Sequence, residues 1–506
     1  MRVVYAGADS IYVALEAAAT EEGMELAQLL SIVEPRIPPD KQVTAVADML
    51  KSQSIQSTLK TFCNDQYWNR IWIVQEFAIG HDVQFLFRDS TFSIDKFHLL
   101  LCMSQMLLST ELSDQPKRIY DIRESWQSNR PLGLLQMLEN TADSQCKKRH
   151  DRVFGLLGLS PNALKYIPEP NYETDTNTFA VTIARSFIQK TSVEIILLAP
   201  HNHSSTRLPS WVPDFFGFDQ SPVDSRIFHL IYNKGVRIDP NGTTFQKKAR
   251  WYATGNSRVD ITFQGDALRT AAVRVGAIRS LGSVLSDGAS SLYPVHDLTY
   301  RRSVISSTIC QEMNQAMLHD EFYYNSNLAP ISDRIWPFEP YGFLGYSFVC
   351  AFLASHGTLD TEYLHTDLVR WICRNRSFFS GAHSMEDHAK MLKHPFFMFG
   401  ISAFHTKYAA KGYLESIWGG MERLAKTDMR LMCLDSYLKF RIGWAAAGAQ
   451  LHDQVFLIPG CSVPIVLRQT DDGRYRLVGD AIVIGAMENE VWGVTKAEDF
   501  QQIEIV

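Results

Sequence analysis

Within the run Asp65-Gln-Tyr-Trp-Asn-Arg-Ile-Trp-Ile-Val-Gln-Glu76, a guanidinium (Arg70), an amide (Gln75), a carboxylate (Glu76) and two indoles (Trp68, Trp72) are set among Ile, Val and Phe77. Polar groups in a segment apolar enough to be buried cost about 1–3 kcal/mol each when unpaired, so each needs a partner. If the run were one helix, Asn69 and Glu76 would share a side and Arg70 and Gln75 would lie on others, so no single catalytic face emerges. A structural hub is the bland reading: buried polar groups that tie the segment to a neighbouring sheet.

Other residues are tested by the same standard. Asp151 and Arg152 open a short helical pattern, where backbone N–H groups can bind an anion, although a helix cap beside a surface base is the better explanation. His201 and His203, or His383 and His388, lack a third ligand at a recognisable spacing, so no metal is expected. Cys461 follows a glycine in β-rich sequence, with no His or Asp placed for acyl transfer, and reads as a buried thiol at a strand end. Gly412, Gly419 and Gly420 are not followed by Gly-Lys-Ser/Thr, and no Gly-x-Gly-x-x-Gly occurs, so no nucleotide cofactor is expected.

These groups must be held by a chain of 506 residues, long enough for two or three packed units. Hydrophobic content of 46%, charged content of 21% and a net charge of −6 are those of a globular protein and disfavour nucleic acid or an anionic membrane as partner. The eight cysteines form no C-x-x-C pair, which fits reduced thiols in a cytoplasmic setting. The N-terminus lacks the pattern of a secretory leader, and the apolar stretch 341–354 is too short and glycine-interrupted to span a bilayer.

Patterning predicts a strand at 11–15, a helix at 15–33 stopped by Pro35, Pro38 and Pro39, and a second helix at 42–62 leading into the tryptophan run. A strand at 81–88 and helical sequence over 95–140 follow. Asp151 suits an N-cap and Gly158 a C′ position, giving a two-turn helix, and 176–190 is an amphipathic helix. Pro209 and Pro213 in Leu208–Asp214 enforce an extended segment. Residues 243–282 read as β-rich and 300–440 as mostly helical; strands at 455–458, 464–468 and 475–484 include a hairpin at Asp472-Gly473. The breaks fall near 80 and 240, dividing the chain into 1–80, 81–240 and 241–506.

Five blocks in this order resemble the heterokaryon incompatibility (HET) family of filamentous fungi. Val4-Tyr5-x-x-Ala8-x-x-Ile11-Tyr12-Val13-Ala14-Leu15 is similar to an early strand of its domain, departing at Ala14 and Glu16. Trp68, Arg70, Trp72, Gln75 and Glu76 match the W-x-R-x-W-x-x-Q-E block that closes it. Downstream, His150-Asp151-Arg152-Val153-Phe154-Gly155-Leu156-Leu157-Gly158-Leu159 resembles R-D-K-V-Y-x-L-L-G-L, with His150 in place of Arg. Leu208-Pro209-Ser210-Trp211-Val212-Pro213-Asp214 is similar to L-P-S-W-V-P-D, and Gly460-Cys461-Ser462-Val463-Pro464-Ile465-Val466-Leu467-Arg468 to G-C-S-V-P-x-V-L-R.

The resemblance implies an α+β chain: a remnant of a Toll/interleukin-receptor-like α/β domain, a mostly helical middle and a β-rich C-terminal part. Two blocks that usually open the family's domain do not occur, so the chain is expected to start inside it, with a sheet edge left unpaired. The implied role is fungal self/non-self recognition and incompatibility-triggered cell death through a protein partner, with the tryptophan block lining the domain's cleft. One alternative is cleavage of the glycosidic bond of NAD, for which Glu76 is the catalytic candidate. The other is an accessory protein of a secondary-metabolite cluster, binding a small hydrophobic ligand in the aromatic-rich region 330–400.

Overall fold

The computed structural model describes residues 7–15, 21–37, 46–87, 90–107, 113–141, 144–199, 207–216, 252–283, 374–387, 429–435 and 441–506, apart from a few positions inside those ranges, together with short strands at 236–238 and 244–246. The chain is α+β and divides into two compact units: Met1–Ser186 with Asp214–Val223, and Phe187–Pro213 with Asp224–Val506. Neither expected break coincides with these bounds. A cut at 80 would separate two strands of one sheet, because β1 (Ile11–Val13) pairs in parallel with β2 (Val83–Phe87) in the register Ile11↔Val83.

A parallel pair requires a crossover, and among the described residues its helices include α1 (Glu21–Ile32), α2 (Gln53–Cys63) and α3 (Ile73–Ile79). β2 runs on into an antiparallel partner, β3 (Ser90–Ser93). Along β2, Val83, Phe85 and Phe87 are buried in alternation, and Ile55, Leu59 and Phe62 make one buried stripe of α2. The two faces meet in an aromatic knot of Phe62, Trp68, Phe77, Phe85 and Phe97. Gly80 ends α3 where any side chain would collide with Ile11 of β1.

Further helices of this unit are α4 (Ile94–Leu107), α5 (Gln115–Gln127), α6 (Leu134–Asn140), α7 (Asp151–Phe154), α8 (Ala163–Tyr166) and the start of α9 (Thr176–Lys190). Arg123 of α5 caps α3 from outside: its guanidinium donates to the carbonyls of Phe77 (2.6 Å), Gly80 (2.5 Å) and His81 (2.9 Å). These are carbonyls that a helix terminus leaves without intrahelical donors. Arg123→Ala is expected to cost about 2 kcal/mol in denaturant unfolding, with Arg123→Lys recovering little, since a point donor cannot span three acceptors.

In the second unit a hairpin pairs β4 (Val236–Ile238) with β5 (Thr244–Gln246), and another pairs β8 (Phe379–Ser380) with β9 (His383–Ser384). Among the described residues the main sheet has eight strands: β6 (Ile261–Gln264), β7 (Ala267–Leu281), β10 (Arg430–Asp435), β11 (Arg441–Ala445), β12 (Gln454–Leu457), β13 (Ile465–Gln469), β14 (Tyr475–Val483) and β15 (Phe500–Ile505). Its order is β10-β11-β14-β13-β12-β7, and β10 also pairs with β7, so six strands form a closed circuit. The 15-residue β7 makes this possible. Its first half pairs with β6 and β15 and its second half with β12 and β10. Closure leaves the six strands of the circuit paired on both sides, and Val273, Ile278, Met432, Leu434, Val455, Val466 and Val478 fill the centre.

Several expectations are corrected here. The tryptophan run, whose structure the patterning left open, forms a 3-10 turn at Gln66–Asn69, then extended Arg70, then α3. Helix α7 is one turn rather than two; His150, not Asp151, stands at its N-cap and Gly155 ends it, so Gly158 lies outside. Residues 208–214 are not extended, because Val212 N–H turns back to the Pro209 carbonyl at 3.0 Å. Within the stretch expected to be mostly helical, 430–435 is a strand whose Leu431 to Leu434 are buried in the sheet. The rest of that stretch lies largely outside the described residues, as do 341–354, His201, His203, His388 and Gly412, Gly419 and Gly420.

Candidate functional site

In the first unit the tryptophan run and the 150–159 block are joined by their polar groups. Trp68 is buried, and its indole N–H donates to the Phe62 carbonyl at 2.7 Å. Asp65 caps the 3-10 turn by accepting from Tyr67 N–H at 2.8 Å. The Trp72 indole N–H reaches Asp151 Oδ2 at 3.4 Å, and the buried Gln75 amide donates to the Gly155 carbonyl. The backbone adds a bridge between Arg70 and Gln145, with Ile71 N–H donating to the Gln145 carbonyl at 3.0 Å. Gln115 spans the junction, its amide donating to the Ser144 hydroxyl (3.3 Å) and the Trp68 carbonyl (3.5 Å).

Asp151 is the centre of this junction. It is buried, its second oxygen accepts the Tyr172 hydroxyl at 2.7 Å, and it stands on a four-residue helix. The carboxylate itself occupies the place an anion would need. Arg152 is half-buried and donates to the Ser144 carbonyl at 3.3 Å. His150 packs against Phe154, Tyr172 and Phe216, and its Nε2 lies 2.8 Å from the Thr174 carbonyl. Lys148 stands 5.2 Å over the Tyr172 ring.

Two members of the run depart from expectation. Arg70 is exposed, because the break before α3 turns it outward; its guanidinium lies 5.9 Å over the Tyr67 ring. Glu76 is half-buried, accepting the Tyr67 hydroxyl at a long 3.5 Å. Buried polar groups therefore describe Gln75 and the Trp68 indole, but not Arg70.

Burial, then donation to Asp151, then that carboxylate's charge push the Tyr172 phenol up to about 12. The folded chain thus holds this proton more tightly than the unfolded chain, whose tyrosine titrates near pH ~10. The stability gained is whole below that point and is lost as the pH rises toward the folded value. Ultraviolet titration should find one tyrosinate forming near pH 12, and Asp151→Asn should move that midpoint down; an unmoved midpoint would break the assigned link. Burial likewise raises the thiols of Cys63, to about 12, and of Cys102 and Cys146, so none of these three is an activated nucleophile.

The second unit holds a corresponding junction. Trp211 is fully buried, donating to the Asp266 carbonyl at 2.9 Å and packing on Phe263. Ser210 receives Leu477 N–H at 2.8 Å and donates its hydroxyl to the Val506 carbonyl, which also accepts Ser210 N–H at 3.0 Å. Pro213 is buried at the end of this segment; Asp214, assigned to the first unit, caps Phe216 N–H at 3.1 Å. Gly460 adopts φ 83°, a left-handed conformation that favours glycine, and its N–H donates to the Ser257 hydroxyl at 3.0 Å. Cys461 is buried, and the Pro464 carbonyl accepts Ala481 N–H at 2.9 Å. Arg468 forms a two-pronged pair with buried Asp453 (2.8 and 2.9 Å) and also reaches the Gly448 carbonyl.

Sequence reasoning missed Glu194, which is fully buried. It accepts Ser462 N–H at 2.9 Å and lies 3.3 Å from the Ser192 hydroxyl. The signal was present: one acidic residue inside Val193-Glu-Ile-Ile-Leu-Leu198 demands a partner. Asp453 and Arg123 gave no comparable local sign.

Across both junctions Trp68, Trp72, Gln75, Asp151, Ser210 and Trp211 bond to one another or to the backbone, an arrangement that fixes loops. Among the described residues no group of three His, Cys, Asp or Glu side chains is placed to hold a metal, and no helix is long and apolar enough to cross a membrane. No protein-family model, curated protein or solved structure matches the chain.

Proposed function

We propose that this chain is a HET-type protein acting in fungal self/non-self recognition and incompatibility-triggered cell death, through interaction with a protein partner in the cytoplasm. The observation that supports it best is the contact between separated blocks of the resemblance: Trp72 with Asp151, and Gln75 with Gly155. Residues singled out by likeness to one family thus hold one another in place. Their polar atoms are used internally, which suits a scaffold better than a site of turnover. The parallel β1–β2 pair with helices in its crossover suits a remnant of a Toll/interleukin-receptor-like sheet, with antiparallel β3 as a departure. A net charge of −6 fits a protein partner better than nucleic acid.

Inducible expression of the full chain in a filamentous fungus tests the reading. Growth arrest and cell death are expected, weakened by Trp72→Ala, together with capture of a protein by the tagged chain from fungal extract. Folded protein that accumulates without affecting growth and enriches nothing would overturn it. NAD supplied to the purified chain is expected to remain intact; turnover abolished by Glu76→Gln would move the function to the enzymatic class.

A further inference from the structure

Arg70, which the break before α3 turns into solvent, has company there. Its backbone bridge to Gln145 lays it beside Lys147, Lys148 and Arg149, which follow in a bend and a turn and are all exposed. Two hydrogen bonds hold the bridge: Ile71 N–H donates to the Gln145 carbonyl at 3.0 Å, and Gln145 N–H donates to the Asn69 carbonyl. Tertiary structure thus gathers bases from two distant parts of the chain. Asp151, the carboxylate nearest to this basic run in sequence, is buried and directs its oxygens to Trp72 and Tyr172.

None of these four cations makes an ion pair among the described residues, whereas exposed Arg269, Arg279 and Arg474 meet Glu504, Asp435 and Asp472. Gathered like charges repel, and the fold gives them no counter-charge, so an anion from outside is favoured. At physiological ionic strength charges act over about 8 Å. An approaching ligand therefore meets the local cations rather than the net charge of −6 of the whole chain. Two of them are already placed: Arg70 lies 5.9 Å over the Tyr67 ring and Lys148 5.2 Å over the Tyr172 ring. Cation–π contact lessens the ordering that binding must impose. The same rings pack on Trp68, Phe77 and Phe154, so neither presents the open stacking face that a single-stranded nucleic acid uses.

We propose that the patch of Arg70, Lys147, Lys148 and Arg149 docks an acidic segment of a protein partner, with closely spaced carboxylates. The guanidinium groups of Arg70 and Arg149 take carboxylates in two-pronged bonds, and the lysines act as point charges between them. This inference rests on the protein-partner reading, which it narrows to a partner carrying such a segment.

Fluorescence anisotropy on the purified full chain tests it, with a labelled peptide of alternating glutamate and serine and a counterpart with glutamine for glutamate. A single-stranded oligonucleotide and phosphatidylcholine vesicles containing phosphatidylserine stand for the other polyanions. Saturable binding of the acidic peptide is expected, weaker by about tenfold for the glutamine peptide and weakened strongly by added salt. Arg70→Gln with Arg149→Gln should melt as the parent does, because both side chains are exposed, yet lose about fivefold in affinity. Arg36→Gln with Arg130→Gln removes the same charge from other exposed positions and should lose less than about twofold. Equal losses in the two double variants would overturn the proposal, by showing that net charge alone attracts the peptide. So would failure of the acidic peptide to bind at low salt, or tighter binding of the oligonucleotide or the vesicles. Peptide binding is measured apart from growth arrest, so a chain that binds the peptide without arresting growth would refute the incompatibility role and leave the patch assigned.

Discussion

Trp68→Ala is expected to lower stability by about 3–5 kcal/mol in denaturant unfolding, the range for removing a buried aromatic. The indole stacks on Phe97 at 6.0 Å and touches Phe62, Phe77 and Phe85, so truncation empties the centre of the aromatic knot. It also deprives the Phe62 carbonyl of its 2.7 Å donor. Trp68→Phe separates the two contributions: it keeps most of the packing, and its smaller loss, of about 1–2 kcal/mol, reports the indole N–H. A loss below about 1 kcal/mol for Trp68→Ala would show that the knot collapses around the gap, and that this residue is not the anchor of the unit.

Trp211→Ala should have a comparable effect, about 3–5 kcal/mol, in the second unit. Its indole is fully buried against Phe263 and bonded to the Asp266 carbonyl, in the turn between β6 and β7. The preceding residue, Ser210, bonds to both Leu477 and Val506, so a loosened Trp211 also frees the attachment to β14 and the chain end. Hydrogen exchange should accordingly quicken in the variant at the amides of Leu477, which donates to the Ser210 hydroxyl, and of Ser210, which donates to the Val506 carbonyl, and Ser210→Ala alone should reproduce the change at Leu477. Unaltered exchange at both amides would refute this coupling.

Local chemistry was readable wherever one stretch of chain contains its own cause. The hairpin between β13 and β14 turns at Asp472-Gly473, and Gly473 takes φ 80° as the motif requires. Alternation along β2 and the amphipathic pattern of 176–190 were likewise sufficient. Errors arose where neighbours override local preference. Residues 430–435 look helical in composition yet become a strand, because β7 and β11 flank them and bury Leu431 to Leu434. Arg70 was expected inside, but the chain breaks between the 3-10 turn and α3 and leaves it in solvent.

By itself the sequence determined that any polar atom carried into the interior must be satisfied, but not which side chains go there, as exposed Arg70 shows. The energetic rule applies to Trp68, Gln75, Trp211 and Glu194 before any fold is known. The partners were decided by tertiary structure alone. Asp151 lies 79 residues from Trp72, Gly155 80 residues from Gln75, and Val506 296 residues from Ser210. The cost of burying a polar atom is a property of the side chain's own chemistry, whereas a contact across such separations depends on how every intervening element packs, and no local spacing encodes that.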